Sequence, residues 1–226
     1  MSLLNLDFLS HSFTVLGTAA FAVSAVLAAE HKNVDIFTVI ILGIITAVGG
    51  GTMRDGMLDV PMFWSQDTSF LWVSIISSIL GFIFFGLLNK RWIHSLYLHI
   101  DTIAIAMFAI QATNKAWNLG FGLPIVPMFM GLITAIGGGM IRDVLLQRPT
   151  LLFSRELYAI PVALGCGLHC IVLALAPQWA AVSALCAIAF IITLRTVSIQ
   201  FNIGVPAWAL LGHQFTLVKP LAGKTR

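Results

Sequence analysis

The sequence predicts an all-α integral membrane protein of seven transmembrane helices, arranged as an inverted 3+3 repeat plus a seventh helix. Three observations predict it. Hydrophobic residues make up 59% of the 226 and charged ones only 9%, at a mean hydropathy of +0.98, which no ordinary soluble surface carries. Seven apolar runs approach the length that a hydrocarbon layer of about 30 Å requires. One glycine-rich motif occurs twice, as TAVGGGTMRD at 46–55 and TAIGGGMIRD at 134–143.

The spans run at about Phe8 to Ala29, Val34 to Leu58, Ser69 to Leu88, Leu96 to Ala116, Phe121 to Leu146, Leu157 to Ala176 and Gln178 to Leu194. The last is short unless it continues past Arg195. Span 1 is a mature helix rather than a signal peptide, because residues 1–11 hold no Lys or Arg and Asp7 has the wrong sign. The connections leave no room for a soluble domain. Trp64, Trp72, Trp92, Trp117 and Trp179 fall near span ends, as interfacial anchors do. With the N-terminus outside, the inner loops and tail collect Lys32, Lys90, Arg91, Arg148, Arg155, Arg195, Lys219, Lys224 and Arg226, against Lys115 alone outside. The expected orientation in the cell (inner) membrane is therefore N-out and C-in. Twelve thinly spread Lys and Arg form no basic stripe, so nucleic acid is not an expected partner.

Residues 43–61 align without gaps on 131–149, with 11 of 19 pairs identical, and FAVSA at 21–25 is echoed by FAIQA at 108–112. The unit is three helices, giving a first repeat over 1–88, a second over 89–176, and a seventh helix with the tail over 177–226, all in one membrane domain. An odd number of spans per unit inverts the second copy in the bilayer, a plan used by proteins that move solutes.

Each glycine costs a helix interior nearly 1 kcal/mol relative to alanine, so Gly49, Gly50, Gly51 and Gly137, Gly138, Gly139 are where spans 2 and 5 are expected to kink. Irregular backbone at that depth survives only inside protein or beside a wet cavity, which makes the triplets candidate pore-lining elements. Arg54 with Asp55 and Arg142 with Asp143 follow within about one turn, on opposite sides of the midplane. Intramembrane charges are functional candidates by default, and pairing within each Arg-Asp couple is the structural alternative. Asp101, beside His99 and Thr102 at the start of span 4, and Lys115 at its end join the candidate list. Ser74, Ser77 and Ser78 suit helix–helix hydrogen bonding. Cys166, Cys170 and Cys186 read as buried thiols, and His169 between two of them reads as packing rather than a metal ligand. No catalytic pattern stands out, so the expectation is a non-enzyme with no cofactor and no metal.

The duplicated GGGxxRD, with FAVSA, FAIQATNKA, Pro61 before Phe63-Trp64, Pro149 before Phe153, the run Arg155-Glu156-Leu157-Tyr158, and Arg195, resembles the trimeric intracellular cation (TRIC) channel family in its prokaryotic branch. The match covers nearly the whole chain. The resemblance implies a homotrimer with a pore in each seven-helix subunit, lined by kinked helices 2 and 5 and permeable to potassium and other monovalent cations. By motif match the two triplets are the kinks, and Arg54, Asp55, Arg142 and Asp143 the polar residues around them. Animal members carry a denser basic cluster on helix 4, where this chain has only Lys115, which argues against voltage gating of that kind. The branch also includes small amino-acid transporters, so a secondary transporter of a small zwitterion such as glycine is the alternative.

Overall fold

A computed structural model describes residues 6–86, 90–154 and 156–205, with side chains described from Phe8 onward except Lys90 and Arg91. Arg155, Lys219, Lys224 and Arg226, used above to orient the chain, lie outside the described residues. The helices are α1 (Leu6–Ala28), α2 (Ile36–Met57), the single turn α3 (Phe63–Gln66), α4 (Ser69–Phe85), α5 (Lys90–Asn118), α6 (Ile125–Leu145), α7 (Ala159–Leu175) and α8 (Ala180–Phe201). Spans 1 to 7 correspond to α1, α2, α4, α5, α6, α7 and α8.

Five of these helices are long and apolar enough to cross a membrane: α1, α2, α5, α6 and the stretch from Pro177 that contains α8. The other two, α4 and α7, have 17 residues each, about 26 Å at 1.5 Å per residue, slightly less than the hydrocarbon thickness. The last span does continue past Arg195, to Phe201. The expected connection at 61–67 contains α3, and that at 147–156 contains a 3-10 turn over Leu151–Phe153.

Local chemistry sets several helix ends. Asp35 caps α2: its carboxylate accepts from the Thr38 amide at 2.9 Å and from the Thr38 hydroxyl at 3.0 Å, and these bonds hold it below the ordinary aspartate range. At the other end of α2, the chain turns through Asp59 in the left-handed region at φ 52°, and α6 is followed by Gln147 at φ 51°. Tertiary packing follows the same parallel. Helix α1 packs on α2 and α4, α5 packs on α6 and α7, and the two sets meet where α1 lies on α5 and α2 on α6. Helix α8 packs against α7 and α5.

The inner surfaces carry the small and aromatic residues. Phe21 of α1 stacks on Phe108 of α5 with centroids 5.4 Å apart, between Ala22, Ala25, Ala104 and Ala109, all fully buried. Outward, Trp72, Ile76, Leu80 and Ile83 of α4 and Ile160, Leu164, Leu168, Ile171 and Leu175 of α7 are exposed at three- and four-residue intervals. A helix with an apolar stripe facing away from its own core is built for a hydrocarbon solvent. Cys166 and Cys170 are buried as expected, but Cys186 is exposed. It lines an apolar groove between α7 and α8 with Leu168, Val172 and Phe190, which accepts a thiol as readily as a core does.

Candidate functional site

The sequence leads us to expect a kink in α2 and α6 at their glycine triplets, and neither helix unwinds there. Both helices run uninterrupted through Gly49 to Gly51 and Gly137 to Gly139. The physical reason lies in relative magnitude. Glycine weakens a helix by about 1 kcal/mol per residue, whereas a freed backbone group away from water costs several, so the ladder holds.

What the glycines provide is contact. A side chain at Gly50 would overlap the Thr134 carbonyl oxygen of α6, and one at Gly138 would overlap the Thr46 carbonyl oxygen of α2. Gly49 faces Ile141 and Gly137 faces Met53. These contacts bring the two triplets together in a close crossing, with backbone against backbone at its centre. Thr46 and Thr134 fold their hydroxyls back onto Leu42 at 2.7 Å and Met130 at 2.6 Å, so neither projects into the crossing.

On one side of the crossing lies the first buried charge cluster. Arg54 donates through Nε to Asp55 Oδ1 at 2.8 Å and through Nη1 to Gln111 Oε1 of α5. Lys115, a quarter exposed, reaches the same Asp55 oxygen at 2.8 Å, while Asp55 Oδ2 accepts the Phe63 amide at 2.8 Å. Phe63 in turn packs on Gly51 and under the Arg54 guanidinium. Arg54 is 1% exposed, and its Nη2 has no hydrogen-bond partner.

The second cluster repeats this plan and extends it. Arg142 donates through Nε to Asp143 Oδ1 at 3.0 Å and through Nη1 to Ser24 Oγ of α1 at 2.9 Å and to Asp101 Oδ1 at 2.7 Å. Its Nη2 donates to Tyr97 Oη at 2.6 Å. Asp143 Oδ2 accepts the Leu151 amide at 3.2 Å, as Asp55 accepts that of Phe63. Arg148 and Arg142 flank the Tyr97 ring, at 4.6 and 4.8 Å from its centroid. Arg195 of α8 donates to Thr102 Oγ1 at 3.0 Å, lies 4.2 Å above the Tyr158 ring and 3.9 Å from Asp101 Oδ2.

All twelve residues singled out in the sequence therefore fall into one crossing and two flanking clusters. The structural alternative for the arginines, pairing with the adjacent aspartates, is observed in both. Reading the sequence missed Gln111, Ser24, Tyr97, Tyr158 and the inward turn of Arg148, which had been counted as a loop charge. Ser24 and Gln111 were within reach, since they hold the same place in FAVSA and FAIQA. The span-3 serines hydrogen-bond within their own helix, Ser74 to Leu71 and Ser78 to Ser74. His169 bridges Asn114 of α5 and Ser183 of α8, both at 2.8 Å. Among the described residues no three His, Cys, Asp or Glu side chains gather as metal ligands.

A family model described as "Glycine transporter" matches residues 11–86 and 98–174, two stretches of nearly equal length covering well over half the chain. The chain belongs to this family. The similar proteins are membrane proteins. UPF0126 inner membrane protein YadS of Escherichia coli K12 is 33% identical over 199 residues, 87% of this chain and 94% of that protein. UPF0126 membrane protein YvgT of Bacillus subtilis is 40% identical over 154 residues, 67% and 75% of the two chains. Among solved structures, a prokaryotic TRIC channel crystallised in 0.5 M KCl superposes with a TM-score of 0.80 at 27% identity, covering 88% of this chain and all of that one. The TRIC orthologue from Rhodobacter sphaeroides gives 0.80 at 26% identity, covering 86% and 98%. The resemblance to the TRIC family read from the twin motif holds.

Proposed function

We propose that the chain forms a passive, potassium-permeable monovalent cation pore within each subunit of a homotrimer, and that the conformation described above is closed. The observation that carries this reading is the backbone-tight crossing of α2 and α6, flanked on both sides by buried arginine clusters, in a chain that superposes on TRIC channels. On this reading the path runs between α2 and α6 and is sealed where Gly50 and Gly138 meet the opposite backbones. It opens when the two helices part, bending at the triplets, where a helix is weakest. Carbonyls at the crossing then replace part of the ion's water. The two halves are read as inverted copies, which the recurring contacts 88 residues apart support: Asp55 to Phe63 beside Asp143 to Leu151, and Gly50 to Thr134 beside Gly138 to Thr46. The N-out, C-in orientation rests on the distribution of Lys and Arg.

One observation favours the second reading, a secondary transporter of a small zwitterion such as glycine. Cations outnumber carboxylates by one in each cluster: Arg54 and Lys115 meet Asp55, while Arg142, Arg148 and Arg195 meet Asp101 and Asp143. A spare positive charge suits a carboxylate better than a bare cation, and the family model carries the matching description. Purified protein in planar bilayers and liposomes separates the two. Unitary current steps in potassium chloride support the pore; saturable glycine uptake without such steps replaces it with the transporter.

A further inference from the structure

Away from the crossing, two grooves open at the beginning of α2 and share one cation. The larger, about 340 Å³, lies between α2 and the end of α6 and is walled by Ile41, Leu42, Ile45 and Leu145. The smaller, about 120 Å³, lies between α1, α2 and α4 and is walled by Val26, Val39, Phe82 and Phe85. Lys32, Val34 and Val39 line both. Lys32 is exposed and enters no ion pair among the described residues. Glu30, whose carboxylate lies 2.8 Å from His31 Nε2, also lines the smaller groove at the same end.

We infer that these grooves with Lys32 between them form a binding site for one anionic two-chain phospholipid. Its phosphate sits against the Lys32 ammonium, and one acyl chain enters each groove. The larger groove runs along α2 from Thr38 to Ile45, about 10 Å at the helical rise, or roughly two-thirds of one leaflet's hydrocarbon. It is thus long enough for the upper part of a chain, and its exposed walls, Ile41 and Leu145, face the side where hydrocarbon lies. The cation selects for a net negative headgroup, because a zwitterionic one brings its own positive charge to the same place. A single-chain amphiphile fills one groove and leaves the other open. A helix of a second subunit covers the larger groove but brings no phosphate to Lys32.

The full chain, reconstituted in vesicles of equimolar phosphatidylglycerol and phosphatidylcholine and released for native mass spectrometry, tests this directly. Phosphatidylglycerol is retained over phosphatidylcholine by about five-fold, the worth of one lysine at an anionic lipid surface. Lys32→Gln brings that ratio to near one, and Ile41→Trp, which fills the larger groove, reduces retention of both lipids. No preference in the unaltered protein overturns the assignment, as does a preference that survives Lys32→Gln. Ile41→Trp splitting the oligomer with retention unchanged also overturns it, and makes the groove a subunit contact. Circular dichroism checks that each variant is folded. Conduction is not read, so the result stands apart from the pore proposal.

Discussion

Adding one methyl group to each glycine of the crossing, separately, asks what the triplets do. At Gly50 the new carbon meets the Thr134 carbonyl and comes within 3.1 Å of the Gly138 nitrogen; at Gly138 it meets the Thr46 carbonyl. These are backbone atoms in rigid helices and cannot swing aside. Overpacking of this kind costs about 1–3 kcal/mol, while alanine returns nearly 1 kcal/mol of helix propensity. Gly50→Ala and Gly138→Ala are therefore destabilised by up to about 2 kcal/mol each. In a chain of this length that lowers Tm by roughly 2–8 °C. At Gly49 and Gly137 the nearest atoms are Ile141 Cδ1 at 2.9 Å and Met53 Sδ at 3.2 Å, ends of flexible side chains. Gly49→Ala and Gly137→Ala keep the propensity gain and melt at or above the unaltered protein. Thermal scans in detergent, followed by tryptophan fluorescence, measure all four. Equal Tm values across the set, or a rise at 50 and 138, would refute the reasoning.

The clusters and the thiols give three more expectations. Arg142→Gln removes the short ion pairs of Asp101 and Asp143 and leaves them only Arg195 at 3.9 Å and Arg148 at 3.7 Å, a loss of about 3–5 kcal/mol that shows as failure to recover a folded oligomer by size-exclusion chromatography. Arg142→Lys does not restore it, because one ammonium cannot serve Ser24, Asp101, Tyr97 and Asp143 together. Lys115→Gln is far milder, about 1 kcal/mol or less, since Lys115 is partly exposed and Asp55 keeps Arg54 and the Phe63 amide; a double-mutant cycle with Asp55→Asn measures the pair. Cys166 and Cys170 resist a membrane-permeant maleimide in the folded protein and are labelled after denaturation, as read by intact mass.

Much of this arrangement is written locally. The apolar runs mark the helices, and the gap-free alignment of 43–61 on 131–149 locates both halves of the crossing before any coordinates. The partners are not written locally. Nothing beside Asp55 announces that Lys115, 60 residues on, reaches it, nor that Arg148 in a loop turns inward onto Tyr97. The use of the glycines is not local either. Their propensity is a property of one helix and points to a break, whereas their use here depends on a second helix whose carbonyls occupy the space a side chain would take. Cys186 shows the limit of hydropathy as well, because an apolar context is the same signal for a core and for lipid.

The claim on which the account turns is that the Gly50–Gly138 crossing seals the path and that parting α2 from α6 opens it. Unitary potassium currents from Gly138→Ala in planar bilayers, beside the unaltered protein and Gly137→Ala, test it most directly. The account predicts that overlap with the Thr46 carbonyl weakens the closed state by one to two kcal/mol, raising the open-to-closed ratio roughly 5- to 30-fold, while Gly137→Ala, which only stiffens the helix, does not raise it. An open fraction in Gly138→Ala equal to or below that of the unaltered protein would contradict it.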